Sequence, residues 1–133
     1  MMFSRIALGL FGLIHLANGL FMVVDAHDWY WAVPGVPATG PMNHHFIVDI
    51  GLVFVASGAG MLMGLRAGAA AAAFALAGSV WPGLHACFHI FQWLAEGFPR
   101  EPRVAAAEVL GVVLIGYCGL ALAYGRARRE GVL

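Results

Sequence analysis

Two histidines four residues apart, His85 and His89, and a histidine and carboxylate at the same spacing, His45 and Asp49, are the side chains here whose types and spacing suit chemistry. Side chains at i and i+4 of a helix share one face, so each pair can converge on a single point. With Glu108, and with His15 reaching in as a sixth member, they form a histidine and carboxylate set of the kind that binds Zn, Fe, Mn or Cu between helices of a bundle. We therefore expect His45, Asp49, His85, His89 and Glu108 to ligate a transition metal used for redox chemistry or metal handling. The HxxxH spacing is also that of zincins, but Ala86 stands where their catalytic Glu would be, so peptidase chemistry has no support.

Other chemistries use the same residues. His15 and His85 are expected at one depth on different helices, which suits bis-histidine ligation of haem; the nearby carboxylates Asp49 and Glu108 argue against it. Proton or small-solute handling draws on such intramembrane His and Glu groups. A scaffold or accessory subunit would use them only as hydrogen-bonded pairs holding helix register.

The elements that must position these groups follow from composition. Of 133 residues, 62% are hydrophobic and 11% charged, against about 25% charged in soluble domains. This is the composition of an integral membrane protein. The net charge is zero, there is no lysine, and no basic run is long enough to track a nucleic-acid backbone. Four apolar stretches, about 6–24, 44–65, 68–94 and 104–124, each meet the roughly 20 residues that span a bilayer at 1.5 Å per residue. The first exceeds the 7–15 residues of a signal-peptide core, and Val24-Asp25-Ala26 is a poor cleavage site, so we read it as a retained helix. One all-α domain, 1–133, follows: a four-helix transmembrane bundle.

Arg5, Arg66, Arg126, Arg128 and Arg129 flank one side of these spans, and Arg100 and Arg103 the other. The positive-inside rule then places both termini in the cytoplasm of a bacterial inner membrane and the 25–43 loop in the periplasm. Counted from the outer ends at 1.5 Å per residue, His15 and His85 lie about 13 Å deep and Asp49, His89 and Glu108 about 6–9 Å, all in the outer half. The loop, with Trp29-Tyr30-Trp31 and then Pro34, Gly35, Pro37, Gly40 and Pro41, reads as too broken for a helix and as a cap over the bundle's outer end. Asn43 suits the N-cap of the second span and Pro102 the first turn of the fourth. Pro82 should kink the third span and free the carbonyl of Gly78. Gly60 and Gly64, facing a stripe of Ala69, Ala73 and Ala77, should bring spans two and three close. Cys87 and Cys118 read as buried small residues without a disulfide. The partners expected are the lipid bilayer and either a second copy or another membrane subunit.

The feature order resembles the DoxX-like group of small bacterial four-helix membrane proteins. It is also similar to relatives with a Trp-Tyr first loop, a Thr-Gly-Pro-x-Asn segment and an Asp-x-Gly on the second helix, here Trp29-Tyr30, Thr39-Gly40-Pro41-Met42-Asn43 and Asp49-Ile50-Gly51. The resemblance implies the four-helix topology and a link to quinone-coupled sulfur oxidation or redox stress. It carries over no catalytic residue.

Overall fold

The computed structural model describes residues 2–133, and within them every regular element is helical. Four spans are long and apolar enough to cross a membrane: α1 (Met2–Val24), α3 (His44–Met63), α4 (Ala69–Glu96), and a continuous helical rod, Pro102–Arg129. The rod consists of α5 (Pro102–Ala106), a π-helical stretch (Ala107–Leu114) and α6 (Ile115–Arg129). It runs beyond the expected end near 124 because the apolar pattern stops there but the helix does not. Arg126, Arg128 and Arg129 occupy its last turn, where cations favour the helix dipole.

The spans pack in the order α1, α3, α4, α6, and α6 returns to touch α1. Their outer faces carry Leu10, Leu13, Leu52, Leu84 and Phe88, all exposed, which a lipid surround covers and water would not. The helix starts are chemically clear. Asn43 accepts a hydrogen bond from Phe46 N at 3.1 Å, and Glu101 accepts from Val104 N at 2.7 Å with Pro102 opening the helix.

Close approach rests on glycine, as expected between α3 and α4, but at different partners. A Cβ on Gly60 would lie 3.0 Å from Gly78 Cα, and one on Gly78 would lie 2.6 Å from the carbonyl oxygen of Ser57. The alanines that face inward are Ala71, Ala72 and Ala75, not the expected stripe of Ala69, Ala73 and Ala77. Ala71 and Ala75 lie two residues round the helix from the expected stripe, since in the alanine run Ala69–Ala73 no larger side chain marks the face. A second close pair is one the spacing did not point to: on α1 and α3, Gly12 and Gly19 meet Gly58 and Gly51 with backbone nearly on backbone.

The 25–43 segment departs from its expected irregular form. Residues Ala26–Ala32 form a short helix, α2, and Val36–Thr39 a 3-10 turn. Asp25 caps α2 by accepting from Asp28 N, and Gly35 at φ 89°, just past Pro34, turns the chain out of it. The segment docks through its aromatics. Trp29 donates its indole N–H to Asn18 Oδ1 at 2.9 Å, and Tyr30 donates its hydroxyl to the Gly40 carbonyl at 2.7 Å. The segment's own Ala26 and Tyr30 are buried against Met22 of α1 and Ile47 of α3. The cysteines are free, as expected, but Cys87 is exposed rather than buried and accepts from the Tyr117 hydroxyl.

Candidate functional site

A run of rings and ionisable groups crosses the bundle from α1 to the π-helical stretch. His15, 5% exposed on α1, donates Nδ1–H to the carbonyl of Phe11 at 2.7 Å, four residues back, which leaves Nε2 with its lone pair. Its ring stacks on Phe54 of α3 at 5.7 Å between centroids, and Phe54 meets His85 of α4 edge-on at 6.1 Å. His85 stacks on Trp81 at 5.6 Å and meets His89 edge-on at 4.8 Å, so the i, i+4 pair does share a face. His89 then brings Nδ1 to 3.4 Å from Glu108 Oε2, and the same oxygen accepts the Trp93 indole N–H at 2.5 Å.

Glu108 owes its position to the helix around it. It is the second residue of the π-helical stretch, whose wider turns differ from the α-helical register on either side. Val109, Gly111, Val112 and Val113 hold α-helical geometry weakly, by stiff χ1 or by lack of a side chain. Such wide turns are common where a membrane helix presents a functional group. Two nitrogens in this run are buried without a hydrogen-bond partner: Trp81 Nε1 and His89 Nδ1, the latter near Glu108 but not aligned with it. In hydrocarbon each such group is costly. A catalytic or ligand-binding contact that tightens only on protonation or binding has this form.

The expected five-residue metal set is not gathered into one unit. His45 and Asp49 pair with each other, Nε2 to Oδ2 at 3.3 Å, on the outside of α3, with side chains 89% and 56% exposed. Among the described residues no three or more His, Cys, Asp and Glu side chains come together in an arrangement that could hold a metal ion. The physical reason is angular: His45 and Asp49 share a face of α3, but that face is turned away from Ile47 and Gly51, which are buried. His15 and His85, the pair expected for haem, each pack against Phe54 rather than against one another. His85, His89 and Glu108 do lie along one continuous path.

Three members of the site have no place in the histidine and carboxylate pattern: Trp93, Trp81 and Phe54. A signal for Trp93 was present, because an indole N–H inside a span must find an acceptor, and 93 is four residues past His89 on the same face. Trp81 lies four residues before His85 by the same rule. Phe54 had no such mark. Comparison with protein-family models, curated proteins and solved structures gives no match to the chain.

Proposed function

We propose that this multi-pass membrane protein carries a proton-exchanging site in one half of its bundle, with His89 and Glu108 as the exchanging pair. The observation that supports it is the double use of Glu108 Oε2, which takes the Trp93 N–H at 2.5 Å and stands 3.4 Å from His89 Nδ1. A carboxylate and an imidazole in a low-dielectric setting can share one proton as an ion pair or as two neutral groups. Trp93 holds the carboxylate in place in either state. His85, edge-on to His89, is the next group in line toward Phe54 and His15. The Arg distribution supports both termini in the cytoplasm, which puts the pair in the periplasmic half of an inner-membrane bundle.

The geometry favours proton handling over the transition-metal reading because ligands that a metal needs around one point are divided between the bundle interior and the outside of α3. Infrared difference spectra of the purified protein across a pH titration test the proposal. A protonated-carboxyl band should appear and disappear with pH, vanish in Glu108→Gln, and shift its midpoint in His89→Gln. A band absent from the wild type, or unmoved in both variants, overturns it. So does stoichiometric metal in the purified protein that is lost in His85→Leu.

A further inference from the structure

The opposite end of the bundle holds an arginine that the proton site does not use. Arg126 is 3% exposed, although it lies in the last turn of α6. One of its amino groups, Nη2, donates to the carbonyl of Arg66 in the α3–α4 turn, while Nε and Nη1 are buried with no hydrogen-bond partner. A guanidinium has five donors and stays charged, so two idle nitrogens out of water are a large unpaid demand for an acceptor.

No acidic side chain among the described residues meets that demand. None of the ion pairs among the described residues involves Arg126. Arg5 and Arg129 are near enough to repel it, and Glu130 is the one acid near enough to attract it. With Arg66 and Arg128, five arginines gather at this end against one glutamate. Beside them, on the lipid-facing side of α1, a groove of about 360 Å³ is lined by Arg5, Ile6, Gly9, Leu10, Leu13 and Leu65. Its walls are hydrocarbon throughout, Arg5 contributing its aliphatic stem, so the groove suits an acyl chain and starts at the arginine cluster that suits a headgroup.

We propose that this end of the bundle binds a phosphate group, with Arg126 and Arg5 as its donors and the groove taking the acyl chain of an anionic phospholipid. Arg suits the role because its planar fork matches two phosphate oxygens at once. Anionic headgroups are concentrated at the arginine-rich side of a membrane, where each nearby cation adds to the attraction.

Thermal unfolding of the full chain in a neutral maltoside detergent, with added phosphatidylglycerol, phosphatidylcholine or inorganic phosphate, tests it. Phosphatidylglycerol should raise the midpoint by on the order of 5 °C, as a ligand in large excess over its Kd does, and phosphatidylcholine should raise it much less. A rise with phosphatidylglycerol alone identifies the lipid headgroup as the source. An equal rise with inorganic phosphate keeps the phosphate site but overturns the acyl-chain role of the groove. Arg126→Gln should lose the rise. Arg5→Gln, which leaves the buried guanidinium intact, should at least halve it and keeps the test open if the first variant does not fold. No rise in the wild type, or a full rise in both variants, overturns the proposal.

Discussion

Trp93 and Glu108, fifteen residues apart and on different spans, are joined by an indole N–H donated to Oε2 at 2.5 Å. The bond ties the C-terminal part of α4 to the first turns of the π-helical stretch, and it holds still the carboxylate that faces His89. Position and chemistry therefore depend on one atom.

Trp93→Phe keeps the ring and removes the donor. A hydrogen bond to a charged group contributes about 1.5–3 kcal/mol, and Trp93→Phe should lower stability to unfolding in detergent by an amount in that range. Glu108→Gln should lose less, since the amide oxygen still accepts from Trp93. Equal losses in the two variants would mean that the carboxylate's charge, not the indole bond, sets its worth.

Backbone contact between α1 and α3 leaves no room at Gly58. A Cβ there would lie 2.5 Å from Leu16 N and 2.6 Å from the Gly12 carbonyl oxygen, so Gly58→Ala must push two helices apart. Overpacking of this kind costs about 1–3 kcal/mol. Gly111→Ala is the control, because nothing lies within 4 Å of a Cβ at that position. It should be neutral or should stabilise by up to about 1 kcal/mol through helix propensity. A melt in which Gly58→Ala matches wild type would show that the α1–α3 contact is looser than its geometry.

Among the described residues, one side-chain hydrogen bond joins the docked segment to α1, from Trp29 Nε1 to Asn18 Oδ1, beside the apolar packing of Met22. Asn18→Leu should leave the four spans folded and raise amide exchange in Ala26–Ala32 selectively, as local opening becomes easier than global unfolding. Faster exchange across α3 and α4 as well would assign Asn18 to the bundle rather than to the segment.

The spans were legible because length and apolarity decide them, and so were Asn43 and Pro102, whose capping chemistry is local. Which face each helix turns inward was not. His45 and Asp49 carry the same i, i+4 signature as His85 and His89, yet one pair faces out and the other in. In a membrane protein the outer face is as apolar as the core, so hydrophobic periodicity no longer reports which side is buried. Glycines report it better: Gly51 and Gly58 mark the inward face of α3, and Asp49 is two residues, about 200°, from Gly51.

That division of the histidines gives the last prediction. The His45 and Asp49 side chains touch each other and are exposed at 89% and 56%, and no hydrogen bond or ion pair among the described residues links them to Glu108. The double variant His45→Gln, Asp49→Asn should keep the carboxyl band of Glu108 and its titration midpoint, whereas His89→Gln alone should move that midpoint. The two expectations separate a site built from α4 and the π-helical stretch from one that also recruits α3. A midpoint shifted in the double variant by as much as in His89→Gln would return His45 and Asp49 to the site, and with them the five-ligand metal arrangement that their spacing suggested.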